Sequence, residues 1–153
     1  MAVEVGDEAP DFTLVDEENV QVRLSDLRGR NVVLLFYPFD FSPVCTTELK
    51  EITRTRGRYD AAGAEVFGVS VDSWFTHRAF KRDEQLSARL LADFHPKGAV
   101  ASRYGAYVDE AGFATRLTFV IDSKGIVRRK VVSSVPEARN AEEYLEALAD
   151  CPL

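Results

Sequence analysis

The chain has 153 residues, enough for one domain over residues 1–153, and its 46% hydrophobic and 29% charged content is globular, which excludes disorder and fibrous repeats. Nineteen Lys and Arg against 25 Asp and Glu give a net charge of −6 with no basic block, which argues against nucleic acid and anionic membrane surfaces as partners. The longest apolar run, Val32 to Phe39, is far short of the about 20 residues of a membrane span, and the first residues carry no basic and apolar leader. A cytoplasmic location is therefore expected.

In chain order, Phe12-Thr-Leu-Val alternates weakly and Val20-Gln-Val-Arg-Leu alternates cleanly, as a half-buried antiparallel strand does. Ser25-Asp-Leu-Arg-Gly29 reads as a turn. Asn31-Val-Val-Leu-Leu-Phe-Tyr37 is apolar on both faces, which suits a central strand, and Pro38 ends it because proline cannot donate to the ladder. A helix is expected from about Val44 to Ala62, with Leu49, Ile52 and Tyr59 on one face and Gly63 as its C-cap.

Glu65-Val-Phe-Gly-Val-Ser-Val71 reads as a second buried strand. Ser73 is placed to cap a helix carrying Trp74, Phe75 and Phe80, which are expected to be helix core or dimer contacts. Ala99 to Tyr104 forms a short helix. Leu117-Thr-Phe-Val-Ile121 and Ile126 to Val132 are strands around the turn Asp122-Ser-Lys-Gly125, and Ala141 to Ala149 is a closing helix. The expectation is an α/β architecture: a central mixed sheet with helices on both faces and an N-terminal β addition, an order that resembles the thioredoxin-like fold.

Two cysteines, Cys45 and Cys151, are too few for a disulfide scaffold, an iron–sulfur cluster or a zinc site built on Cys. His77 and His95 form no i,i+4 pair with a nearby Cys and read as surface or packing residues. No phosphate loop or dinucleotide fingerprint is present, so no metal and no cofactor is expected. Cys45 closes the loop Pro38-Phe-Asp-Phe-Ser-Pro-Val-Cys45 at the first turn of the expected helix. Backbone N–H groups and the positive end of the helix dipole favour an anion there. An ordinary thiol is about 7% ionised at pH ~7.4, so complete ionisation raises the reactive fraction only about 14-fold, or about 1.5 kcal/mol. A much faster thiol must gain from contacts made in the transition state. Ser42, Arg116 and local N–H groups are the donors to look for, whereas an inert buried cysteine and a surface arginine at a strand end are the plain alternatives.

Pro38-Phe-Asp-Phe-Ser42-Pro-Val-Cys45 resembles the signature of the peroxiredoxin family, with Ser42 where Thr is commoner. The likeness extends along the chain. Gly6-Asp-Glu-Ala-Pro-Asp-Phe-Thr-Leu resembles the family's opening, Ser70-Val-Asp-Ser-Trp-Phe-Thr-His-Arg-Ala-Phe its middle block, and Arg116-Leu-Thr-Phe-Val-Ile-Asp-Ser-Lys-Gly the segment bearing its active-site arginine. Leu90-Leu-Ala-Asp-Phe-His-Pro-Lys-Gly-Ala-Val-Ala and the short C-terminus are most similar to the one-cysteine, alkyl hydroperoxide reductase E-type group.

The resemblance implies a thiol peroxidase acting on hydrogen peroxide, organic hydroperoxides or peroxynitrite through a Cys45 sulfenic acid. In that reading Pro38 shields the sulfur, Ser42 bonds the peroxide oxygen and the thiolate, and Arg116 holds the thiolate and polarises the breaking bond. Glu48 orients Arg116, although as a bare sequence feature it is a solvated helix residue, and Arg139 matches a further arginine of the family. An external thiol of thioredoxin, glutaredoxin or mycothiol type is the implied reductant, and a homodimer or higher homo-oligomer the implied assembly. Cys151 is read either as an exposed terminal thiol without a role or as a resolving cysteine that condenses with the sulfenic acid. A thioredoxin-like redox sensor or binding protein without turnover is the other function class. A disulfide oxidoreductase is disfavoured because Thr46-Thr-Glu48 follows Cys45 where a Cys-X-X-Cys motif needs a second thiol.

Overall fold

The computed structural model describes residues 2–133 and 141–151. Among these described residues, nine strands and five α-helices follow in the order β1 (Thr13–Val15), β2 (Gln21–Arg23), β3 (Asn31–Phe36), α1 (Pro43–Arg54), α2 (Arg56–Ala61), β4 (Ala64–Ser70), α3 (Trp74–Glu84), β5 (Arg89–Ala92), α4 (Ala99–Arg103), β6 (Tyr107–Val108), β7 (Phe113–Ala114), β8 (Leu117–Ile121), β9 (Val127–Val132) and α5 (Ala141–Ala149). Seven strands form one sheet in the order β2-β1-β5-β4-β3-β8-β9, with β6 and β7 as a separate small ribbon. β3, β4 and β5 run parallel, while β8, β9, β1 and β2 are antiparallel to their neighbours. The sheet is therefore mixed, and the N-terminal addition is the β1–β2 hairpin, joined to β5 at Val15 and Ala92.

All six residues of β3 are buried, which explains the unbroken apolar run: the strand lies at the sheet centre and is covered on both faces. Alternation sorts its side chains into two cores. Val32, Leu34 and Phe36 join Phe12, Phe67, Val100, Tyr104 and Phe119 on the face closed by α4 and the N-terminal segment. Val33 and Leu35 join Leu49, Ile52, Tyr59, Phe80, Tyr144, Leu145 and Leu148, contributed by α1, α2, α3 and α5.

The expected single helix over 44–62 is two helices. Its break falls at Thr55, where the backbone N–H and the hydroxyl both turn back to the Glu51 and Ile52 carbonyls. A side chain that competes for the carbonyls of the preceding turn disfavours continuation of the helix. Gly63 then turns the chain at φ 64°. Ser73 caps α3 by accepting from the Thr76 N–H at 3.3 Å. Phe80 enters the core, but Phe75 is 68% exposed and stacks on Trp74 with ring centres 4.0 Å apart, so the aromatic run is only partly helix core. The segment expected as a turn at 25–29 opens instead with a 3-10 turn over Leu24–Leu27.

The β8–β9 hairpin is closed by Asp122, whose Oδ1 accepts from the Lys124 and Ile126 N–H groups, with Gly125 at φ 88°. Among the described residues no helix is long and apolar enough to cross a membrane.

Candidate active site

β3 delivers the chain to the site. It ends at Phe36, Pro38 follows half-buried, and the loop from Phe39 to Ser42 leads into α1. Ser42 is the N-cap residue and Pro43 occupies the first turn, where a missing N–H costs nothing. Cys45 is thus the third residue of α1 and is fully buried. The Ser42 hydroxyl donates to the Phe39 carbonyl at 2.8 Å and makes no cap bond to the helix. In this state it tightens the loop and is not directed at the sulfur.

Arg116 immediately precedes β8, the neighbour of β3, and the pairing of Leu35 with Thr118 brings it over the loop. Its Nη2 donates to the Cys45 sulfur at 3.1 Å. Its Nη1 donates to the Glu48 carboxylate. Both charged side chains are almost completely buried, at 3% and 2% exposure. Glu48 is therefore not a solvated helix residue. One turn beyond Cys45, it faces the same interior and fixes the guanidinium plane. The Arg116 Nε–H is buried and has no hydrogen-bond partner among the described residues.

Two features of the loop escape a reading of the sequence. Phe41 adopts φ 67°, a left-handed conformation that costs a bulky side chain about 1–3 kcal/mol and persists only when its surroundings over-determine it. Beside it, Asp40 is buried and holds together a polar cluster. Its Oδ1 accepts from the Tyr37 hydroxyl at 2.5 Å, its Oδ2 meets His77 Nδ1 at 2.7 Å, and its N–H donates to Asp72 Oδ2 at 2.8 Å. Burial pushes the Asp40 carboxyl up despite the His77 contact, and pushes the Tyr37 hydroxyl well above the usual tyrosine range. Asp40, Asp72 and His77 bring potential ligand atoms within 4.8 Å of one another, but Asp40 and His77 spend theirs on internal hydrogen bonds. The group reads as a structural network and not as a metal centre.

Cys151 does not match its expectation as an exposed, loosely ordered thiol. It is buried beside Leu148 at the end of α5, and its Sγ donates to the Ala147 carbonyl at 3.3 Å. Burial pushes its thiol up. The apolar positions Tyr144, Leu145 and Leu148 dock α5 firmly enough to carry the following turn inward. Arg139 lies outside the described residues. His77 is a packing histidine, whereas His95 is exposed.

The model of the AhpC/TSA family matches residues 5–130. Peroxiredoxin-2 of Mus musculus is 39% identical over 152 residues, covering 93% of this chain and 76% of its own length. Alkyl hydroperoxide reductase E of Mycobacterium tuberculosis is 36% identical over 146 residues, covering 95% of both chains. Among solved structures, peroxidoxin BcpB of Mycobacterium tuberculosis superimposes with a TM-score of 0.89 at 28% identity over 99% of both chains. Enterococcus faecalis AhpC does so with 0.87 at 29% identity over 97% of this chain and 92% of its own. With a thioredoxin-like sheet, a buried thiol at a helix start and an arginine on its sulfur, this chain belongs to the AhpC/TSA family, the peroxiredoxins.

Proposed function

We propose that this thiol-dependent peroxidase works through Cys45 as the attacking sulfur, with Arg116, Ser42 and Pro38 forming its surroundings. The observation that carries the reading is the Arg116 Nη2 donor 3.1 Å from the Cys45 sulfur. The thiolate attacks one peroxide oxygen and the O–O bond breaks. The sulfur is oxidised by two electrons to a sulfenic acid, and the other oxygen leaves, after taking a proton, as water or an alcohol. Negative charge passes from sulfur to the departing oxygen. A guanidinium held in place by Glu48 can follow that charge without reorganising, where electrostatic stabilisation is most effective. Rotation of the Ser42 hydroxyl away from the Phe39 carbonyl gives the peroxide a second donor.

The full burial of Cys45 favours a small oxidant over a bulky disulfide, which supports a peroxidase over a disulfide oxidoreductase. Once the loop opens to expose the oxidised sulfur, an external thiol condenses with the sulfenic acid, releasing water, and a second thiol restores Cys45. The one-cysteine cycle is preferred to resolution by Cys151, because that thiol would first have to leave its buried place at the end of α5. Arg139 is kept as a supporting residue on the family resemblance alone. A single domain, a cytoplasmic location and a homodimer or higher homo-oligomer complete the reading. Exposure of Phe39 and Phe41 on the loop supports an edge near the site as the contact.

Intact mass after one equivalent of peroxide tests the cycle. Cys45 is expected to gain about 16 Da, and Cys45→Ser to gain nothing and to lose peroxidase activity. A rapid loss of about 2 Da without added thiol, absent in Cys151→Ser, would establish the two-cysteine cycle instead. Full activity in Cys45→Ser would overturn the assignment.

A further inference from the structure

The loop that presents Cys45 is gripped by α3 at two consecutive residues. The ring of Phe41 lies against Phe80 with centres 4.9 Å apart, and Asp40 meets His77 at 2.7 Å. His77 and Phe80 stand three apart on α3 and therefore share one face. His77 is fully buried, an expensive site for an imidazole unless both ring nitrogens are bonded. Both are: Nε2 meets the Leu91 carbonyl at 3.0 Å, and Nδ1 meets Asp40 Oδ2. A carbonyl only accepts, so Nε2 carries a hydrogen and Nδ1 and Oδ2 share a single proton between them. The imidazole thus links β5 to the loop five residues ahead of Cys45. Asp72, which takes the Asp40 N–H and the Ser70 hydroxyl, adds a bond from the end of β4.

We propose that His77, acting through Asp40, is a positioning residue that holds the peroxidatic loop so that the Cys45 sulfur meets Arg116. The proposal rests on Cys45 being the attacking thiol. The loop enters α1 directly, so a displacement of Asp40 moves the first turn and lengthens the 3.1 Å contact between Arg116 and the sulfur. The left-handed Phe41 between Asp40 and Ser42 needs such a clamp, since nothing local favours that conformation. What matters in this arrangement is the directed hydrogen bond and not the charge it carries.

Two half-mimics of the imidazole separate the positioning bond from the packing bond. In His77→Asn the amide N–H occupies the place of Nδ1 and still reaches Asp40. In His77→Gln it occupies the place of Nε2, keeping Leu91 and losing Asp40. Each variant forfeits one buried bond, so thermal unfolding is expected to fall alike in both, whereas the rate of Cys45 oxidation by hydrogen peroxide in single turnover is not. His77→Asn is expected within about threefold of wild type and His77→Gln slower by roughly 10- to 100-fold, the cost of misplacing a reacting group by about 1 Å. Asp40→Asn is expected to react like wild type, because its amide can donate to Nδ1 and accept from Tyr37.

Equal rates in the two His77 variants would overturn the proposal, as would a loss in Asp40→Asn as deep as in His77→Gln. Should His77→Gln fail to fold, Asp40→Ala is measured in its place, with the same loss expected and a wild-type rate overturning the proposal. A wild-type protein that does not reduce peroxide at all would refute the Cys45 reading, a failure distinct from these.

Discussion

The guanidinium of Arg116 lies 3.1 Å from the sulfur of Cys45, although 71 positions separate the two in the chain. The contact depends on the pairing of β3, which leads into the Cys45 loop, with β8, which Arg116 precedes, and it gives the buried sulfur its one cationic hydrogen-bond donor among the described residues.

Removal of that donor is expected to be costly. Arg116→Ala should lower the second-order rate with hydrogen peroxide by about 10²- to 10³-fold, the loss typical of a preorganised charge-stabilising donor. Arg116→Lys should recover little of it, because a single ammonium cannot bond Glu48 and the sulfur in the geometry of a planar fork. Stopped-flow measurement on the reduced protein decides this.

Glu48 is expected to matter first for stability. Its carboxylate pairs with Arg116 at almost complete burial, and Glu48→Ala leaves that cation without its carboxylate, at about 3–5 kcal/mol in denaturant unfolding. Glu48→Gln, which retains an acceptor oxygen, should lose less of both stability and rate.

Ser42 separates hydroxyl from bulk. Ser42→Thr should keep the rate within about threefold, and Ser42→Val, isosteric with Thr but without its hydroxyl, should lose about 10²-fold if the group contacts the peroxide in the transition state. Thermal unfolding of the two should differ little, since the bond lost to the Phe39 carbonyl is near the surface.

Alkaline pH should weaken the fold, with Cys151 as the first contributor. Burial raises its thiol, and burial likewise raises the hydroxyls of Tyr59 and Tyr104. Their folded values lie above their unfolded ones. The stability they lend is therefore complete below the unfolded values, about 8.5 for a thiol and 10 for a tyrosine, and is lost as pH rises through the folded ones. With Cys45 replaced by Ser throughout, the melting temperature should begin to fall above about pH 8.5, and Cys151→Ala should delay that onset.

Much of the scaffold was legible because the chain states it locally. The apolar run of β3 and the Asp122–Gly125 turn each carry their own cause, burial on both faces in one case and an aspartate accepting two N–H groups in the other. The break at Thr55 was not, since it depends on a threonine hydroxyl choosing backbone carbonyls over solvent. β5 was missed because Arg89-Leu-Leu-Ala is short and shows no alternation, being buried on both faces between β4 and β1.

The site divides in the same way. Cys45 stands in a local pattern of prolines and a helix start, whereas Arg116 could be assigned its place only through resemblance. Asp40 and His77 were invisible as a pair, because common polar residues 37 positions apart leave no periodic or compositional trace. Cys151 was misjudged because its nearness to the last residue suggested exposure, while three apolar residues on α5 carry it inward.

The placement of Arg116 at the head of β8 has a consequence for how the protein comes to life. When synthesis has reached the end of β5, Cys45, its loop and α3 are already part of the chain, but the arginine is not. Until β8 is made and paired beside β3, the emerging chain carries a thiol without its guanidinium. Peroxide reactivity should therefore appear late in synthesis, with closure of the sheet, so that the half-made protein is spared the oxidation its finished form invites.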